Sequence, residues 1–216
     1  MNLFDKSKSI ICFVRHGQTD WNTKGLMQGR EEVPLNENGI KQAEWAAHFF
    51  RMAKEKYGIS WDKVVSSPLS RAEKTARIIA NGAECDNFYT DKRLIERDFG
   101  ALSGLHYDAY SKAISENVEG VSSIETVECL LSRVNDFIKS NVRLGDRVIL
   151  VTHGAVGRIY ALNSEKASDI KKEDIRMFSN CHMALYSYDG EKTLLECYNA
   201  SPERLCDPDF IGLEEK

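Results

Sequence analysis

Apolar and polar positions along this chain fall into short unbroken apolar runs separated by segments of helical period. Ile10 to Val14 is such a run, rich in β-prone residues, and predicts a buried strand that ends in Arg15, His16 and Gly17. The polar stretch from Thr23 to Pro34 has no period and predicts a loop beside that strand end. Asn36 is placed to cap a helix whose apolar positions are Ile40, Ala43, Ala47, Phe50 and Ala53, with Gly58 as its stop. Trp61 to Val65 predicts a short second strand. Ser67-Pro68 predicts the start of another helix, Ser67 capping and Pro68 in the first turn, which puts Arg71 about one turn in.

Phe88 to Thr90 is a candidate third strand. The segment from Leu94 to Gly104 is too irregular for a helix, and in it Glu96 follows apolar Leu94 and Ile95. Tyr107 to Asn117 is weakly helical. Ser122 or Ser123 is the expected cap of an amphipathic helix with Ile124, Val127, Leu131, Val134, Phe137 and Ile138 on one face. Val148 to Thr152 is apolar without alternation, as in a parallel strand buried on both faces, and it ends in His153-Gly154 before a helix over 155–162. The opening pattern is thus repeated: buried strand, then His-Gly at its lip. Met183 to Tyr188 and Thr193 to Tyr198 predict a hairpin around Asp189-Gly190. The polar, acidic stretch from Ser201 to Lys216 is expected to be loosely held. Strands interleave with helices, as in an α/β protein, and with no repeat, linker or low-complexity tract a single domain over 1–216 is the simplest account.

Composition narrows the function. Hydrophobic residues at 42% and charged ones at 29% are those of an ordinary soluble globular chain. A net charge of −4 argues against a surface built for nucleic acid or anionic lipid, so any bound anion must meet a local cluster of arginines. No apolar run approaches the roughly 18 residues of a membrane span, and Met1 to Ser9 has no apolar core of a secretory leader. Six cysteines without a C-x-x-C pair suggest reduced thiols in the cytoplasm.

Two histidines and two arginines, Arg15, His16, Arg71 and His153, therefore stand at strand ends or helix starts, where side chains of an α/β fold converge on ligands. Taken singly each has a plainer reading: a structural histidine, a solvated arginine, a surface Glu96 paired with Arg93 or Arg97. Together they suit a phosphoryl group, whose three oxygens accept guanidinium forks from several directions. His153 and the start of its helix add donors. Cleavage of a phosphate ester also needs a nucleophile and a proton donor, roles that His16 and Glu96 fit. A metal site of two histidines and a glutamate is the chemical rival. It is disfavoured by the adjacent arginines and by the lack of a ligand pair at helical spacing. No G-x-S-x-G elbow supports a serine hydrolase.

Four motifs in this order resemble the histidine phosphatase superfamily, also called phosphoglycerate-mutase-like. They are Arg15-His16-Gly17-Gln18-Thr19-x-Trp21-Asn22, Ser67-Pro68-Leu69-x-Arg71-Ala72-x-x-Thr75-Ala76, Leu94-x-Glu96-x-x-x-Gly100-x-x-x-Gly104 and Val151-Thr152-His153-Gly154. The resemblance covers nearly the whole chain. It implies a three-layer α/β/α sandwich around a mostly parallel sheet, His16 as the phosphorylated residue and Glu96 as the proton donor. It further implies a phosphate pocket of Arg15, Arg71 and His153, with Asn22, Gln28, Gly29, Arg97 and Gly154 among the substrate-binding residues. It implies no metal and no cofactor, and a small phosphorylated metabolite as the partner. Cofactor-dependent mutases of the family carry a longer insertion with a lysine and an arginine pair for the substrate carboxylate. Here His106-Tyr107 follow Gly104-Leu105, Lys112 is the one lysine or arginine before Ser123, and Phe99 stands where mutases usually have tyrosine. That favours a phosphatase, with a mutase and a non-catalytic phospho-ligand module as the alternatives. The organic part of the substrate is expected to meet Met27, Arg30, His106 and Tyr107.

Overall fold

A computed structural model describes residues 7–118 and 120–212. The N-terminal leader reading thus falls largely outside the described residues. The first half of the chain runs through β1 (Ser9–Arg15), α1 (Asp20–Thr23), α2 (Glu37–Tyr57), β2 (Lys63–Ser66), α3 (Ser70–Gly82), β3 (Phe88–Thr90) and α4 (Tyr107–Glu116). The second half runs through α5 (Val127–Asn141), β4 (Arg147–Thr152), α6 (Gly154–Asn163), β5 (Glu165–Lys166), β6 (Met183–Tyr188), β7 (Thr193–Ala200) and α7 (Pro208–Ile211).

The strands form one seven-stranded sheet in the order β3-β2-β4-β1-β6-β7-β5. Only β6 runs against the others, being antiparallel to both β1 and β7, so the sheet is mostly parallel as expected. Side-chain alternation along β1 divides the core into two layers. Ile10, Cys12 and Val14 pack with α2, α3 and α7, while Ile11 and Phe13 pack with α5 and α6. The result is an α/β/α sandwich. β1 and β4, the two unbroken apolar runs, are its paired central strands.

The ends of α2 follow the sequence closely. The Asn36 side chain accepts the Gly39 N–H at 2.8 Å, and Gly58 closes the helix in the left-handed region at φ 68°. Three expectations are corrected. α3 begins at Ser70, not at Ser67-Pro68. Leu69 is its extended N-cap, the Ser70 N–H is met by Glu32 Oε2 at 3.1 Å, and Ser67 turns its hydroxyl to another element. α5 is capped by Thr126, not by Ser122 or Ser123, because Ser123 Oγ is bonded to the Gly120 carbonyl at 2.6 Å. Ile124 accordingly leaves the helix and joins Phe99, Leu102 and Ala113 in a small satellite core. The stretch after Ser201 is not loose over its described part. Leu205 and Ile211 are fully buried in the main core, and Tyr57 donates its hydroxyl to the Cys206 carbonyl at 2.9 Å. Residues 213–216 lie outside the description. The sequence reading also passed over α1 and β5.

One close approach fixes the site relative to α2. A Cβ on Gly17 would lie 2.3 Å from the Gly39 carbonyl oxygen, and a Cβ on Gly39 would lie 2.1 Å from the Gln18 carbonyl oxygen. Two backbones touch here, and neither can yield as a flexible side chain would. Alanine at Gly39 would raise helix propensity by about 1 kcal/mol, but forcing the backbones apart costs about 1–3 kcal/mol or more. Gly39→Ala should therefore lower the urea midpoint. A raised midpoint would show that this contact is not tight.

Candidate active site

The sheet brings the two histidines together. Arg15 lies opposite Thr152 in the parallel pairing of β1 and β4, so the next residue of each strand, His16 and His153, leaves the sheet beside the other. Their rings are 5.2 Å apart between centroids, edge to face. The Nδ1 atom of His16 is 2.7 Å from the Gly17 carbonyl. A carbonyl only accepts, so Nδ1 carries the hydrogen and Nε2 keeps its lone pair. Asn180, in the loop before β6, donates its amide to the His16 carbonyl at 2.8 Å and to Asn22 Oδ1 at 3.3 Å.

His153 Nε2 is 2.7 Å from Ser67 Oγ, and that oxygen already accepts the Leu69 N–H at 3.3 Å. A hydroxyl oxygen has two lone pairs, so either Ser67 Oγ or His153 Nε2 can be the donor here, and His153 Nδ1 is buried without a protein partner. Burial is the main reason that both rings hold their pKa well below the ordinary histidine value. Arg71 and Arg15 push the same way, so both rings are neutral at pH 7.

Arg15 and Arg71 are buried, Arg71 completely. Arg15 Nη1 donates to the Phe178 carbonyl at 2.5 Å. Arg71 donates from Nη1 to the Glu31 carbonyl at 2.7 Å and from Nη2 to the Gly29 carbonyl at 2.8 Å. Neither has a carboxylate within salt-bridge distance among the described residues. Burial lowers both pKa values, that of Arg71 to about 10, which still leaves cations at pH 7. Each Nε is buried without an acceptor, and these two donors with His153 Nδ1 are half of the six such atoms among the described residues. Two unsatisfied cationic donors and an unpartnered imidazole nitrogen beside His16 fit an anion with several oxygens.

Glu96 is buried rather than paired at the surface. It accepts the Arg97 N–H at 2.8 Å and the Ala155 N–H, in the first turn of α6, at 3.2 Å. Arg93 goes instead to Asp91 and Asp136. Burial raises the pKa of Glu96, opposed by those two N–H groups and by Arg71 and Arg15. The residue is thus poised to hold a proton above the usual carboxylate range.

These groups open on a cavity of about 700 Å³. Of the residues expected at the site, Arg15, His16, Asn22, Gln28, Arg71, Glu96, Arg97 and Gly154 line it. His153 does not line it; fully buried, its ring lies edge to face against that of His16. Gly29 does not line it either; its carbonyl holds Arg71. Met27 and Tyr107 line the cavity as expected of residues that meet the organic part, but Arg30 is drawn away to Asp98 and Glu125, and His106 caps α4. Sequence reasoning missed Asn180 and Phe178, whose polar work is done by a loop without periodicity. It also missed Arg158 and Arg176 on the cavity wall. Only Arg158 carried a signal, four residues after Gly154 and so on the same helical face. Among the described residues no group of three or more His, Cys, Asp or Glu side chains is arranged to hold a metal ion.

The sequence model of the histidine phosphatase superfamily (branch 1) matches residues 11–201. A Bacillus subtilis protein named uncharacterized phosphatase PhoE is 32% identical over 199 residues, covering 88% of this chain and 94% of that one. A metal-independent phosphoserine phosphatase of Arabidopsis thaliana is 37% identical over 174 residues, covering 75% and 71%. In fold, a phosphoglycerate mutase from Bacillus anthracis superposes with a TM-score of 0.70 over 97% of this chain and 98% of that one, at 17% identity.

Two histidines held neutral carry a stability signature. Their folded pKa values lie below the unfolded value of about 6.5, so the unfolded chain binds more protons as the pH falls. Stability should be unaffected by these rings above that pH and decline below it. A His16→Asn, His153→Asn double variant should lose less stability than the parent between pH 7 and pH 5 in urea titrations, whatever its starting value. Parallel curves would mean that the rings take up protons in the folded state.

Proposed function

The chain belongs to the histidine phosphatase superfamily, branch 1, and we propose that it hydrolyses phosphate monoesters of small metabolites through a phosphohistidine formed on His16. The observation that carries this reading is the pair of unsatisfied cationic donors, Arg15 Nε and Arg71 Nε, together with the unpartnered His153 Nδ1, around a neutral histidine with a free Nε2.

The chemistry follows from those atoms. The phosphoryl oxygens accept from Arg15, Arg71 and His153, which spread the charge of the transition state. His16 Nε2 attacks phosphorus in line. The N–P bond forms as the ester P–O bond breaks, and the positive charge gained by the ring is shared with the Gly17 carbonyl on Nδ1. The departing oxygen takes the proton held by Glu96. Glu96, now a carboxylate, takes a proton from the water that attacks the phosphohistidine, which releases phosphate and returns both groups to their starting states. No step calls for a metal or a cofactor.

Hydrolysis is favoured over mutase transfer by what the segment after Gly104 brings to the cavity. It contributes Tyr107 and Tyr110, whereas Lys112 is exposed and faces Glu116 at 3.8 Å. We place the enzyme in the cytoplasm. All six cysteines are free, and among the described residues no helix is long and apolar enough to cross a membrane.

Phosphate release from a panel of phosphorylated metabolites tests the proposal. Turnover should survive exhaustive chelation and exceed any isomer interconversion of 3-phosphoglycerate supplied with its bisphosphate primer. His16→Ala should abolish it, and acid-labile, base-stable label should appear on His16 in enzyme quenched during turnover. A strict need for added zinc or magnesium, or near-normal turnover by the variant, would sink the mechanism.

The role of Glu96 is separable from pocket maintenance. In single-turnover phosphorylation, Glu96→Gln should slow an alkyl phosphate by about 10²–10⁴. p-Nitrophenyl phosphate, whose leaving group needs little protonation, should lose much less. Equal losses on the two substrates would make Glu96 a structural group.

A further inference from the structure

The cavity extends well beyond the phosphate end. α6 turns one whole face to it: Gly154 and Ala155, then Arg158 and Ile159, then Leu162 and Asn163. That face spans about 14 Å of helix. Gly154 marks the phosphate end, because a Cβ there would lie 3.3 Å from Arg15 Nε. Arg158 comes one turn later, about 6 Å along the axis. Leu26, Met27, Val127 and Ile159 give the same cavity an apolar lining.

Arg176 reaches the same region from a second element. Two residues on, the Phe178 ring packs against Gly157, where a Cβ would come within 2.4 Å of it. This contact ties the loop to α6, and Arg158 and Arg176 line the same cavity from the two elements so joined. The Tyr198 hydroxyl steadies the loop by donating to the Arg176 carbonyl at 3.1 Å. Arg158 and Arg176 are exposed, and neither has an acidic partner within salt-bridge distance among the described residues. Arg176 Nε makes only a long contact with the Glu173 carbonyl at 3.4 Å. Five arginines line the cavity against a single acid, Glu96, in a chain whose net charge is −4.

On the reading of the pocket as a phosphatase site, we propose that Arg158 and Arg176 form a second anion site that selects phosphate esters bearing another anionic group, carboxylate or phosphoryl, at the far end of an apolar spacer. The spacer is set by the turn of α6 between Gly154 and Arg158. Both arginines are exposed, so their attraction is screened and weakens with salt.

Calorimetric binding of phosphonates, which cannot be hydrolysed, tests this. Alkylphosphonates are compared with carboxyalkylphosphonates and alkane bisphosphonates of matched and increasing length. At low ionic strength the second anion should tighten binding about tenfold or more, with an optimum at intermediate length. The better of the two end groups identifies the kind of anion. In the Arg158→Gln, Arg176→Gln double variant that ratio should fall toward one. A ratio near one in the unaltered protein, or an unchanged ratio in the double variant, would overturn the second site. Failure of the phosphatase reading looks different: no phosphate released from any ester, with the phosphonate ratios intact.

Discussion

Two guanidinium groups held inside the protein without a carboxylate partner set the terms for everything around them. Burying an unpaired cation costs several kcal/mol, and here backbone carbonyls of Gly29, Glu31 and Phe178 offset part of that cost. A carboxylate in their place would stabilise the fold more and would cancel the field that draws an anion. The protein accepts the weaker partner. Burial, with the same field pushing the same way, keeps His16 and His153 neutral, and burial raises the pKa of Glu96 against the pull of the two guanidiniums. The protonation of both histidines and of the glutamate is thus tied to one buried distribution of charge.

That charge stays in place because it rests on the most rigid part of the molecule. β1 and β4 are central strands with both faces covered, and the atoms that orient the site come from elements packed directly on them. Gly17 and Gly39 let α2 press on the strand end, Thr75 of α3 accepts the Gly17 N–H at 3.0 Å, and Asn180 holds the His16 carbonyl. The far wall is lighter in construction. Phe99, Leu102, Ala113 and Ile124 form a satellite core of their own beneath α4.

What was legible in the sequence was what local chemistry decides. Two unbroken apolar runs told of paired central strands, and Asn36 and Gly58 bounded α2 because a cap and a left-handed stop need only their own neighbours. Where several residues offered the same local chemistry, distant partners chose. Ser123 lost the cap of α5 to Thr126 because its hydroxyl was taken by Gly120, and Ser67 lost that of α3 because His153 needed it. The stretch after Ser201 reads as polar, yet Leu205 and Ile211 find the core across α2. For the site, a family resemblance supplied what periodicity could not. By composition alone Arg71 is a surface residue, and its burial follows from a loop whose carbonyls close over it. Asn180 had no such signal, being one polar residue in a polar loop.

The order of strands in the sheet differs from their order along the chain, and this bears on how the protein is made. β1 is synthesised long before its partners, β4 and β6, which span 147–152 and 183–188. Until those have left the ribosome, the longest apolar run of the N-terminal half has no neighbour on either side, and pairing over such separations is slow. His16 acquires its setting only when β4 slots between β1 and β2 and the 175–182 loop closes over Arg15. His16 is translated well before the segments that complete the pocket around it.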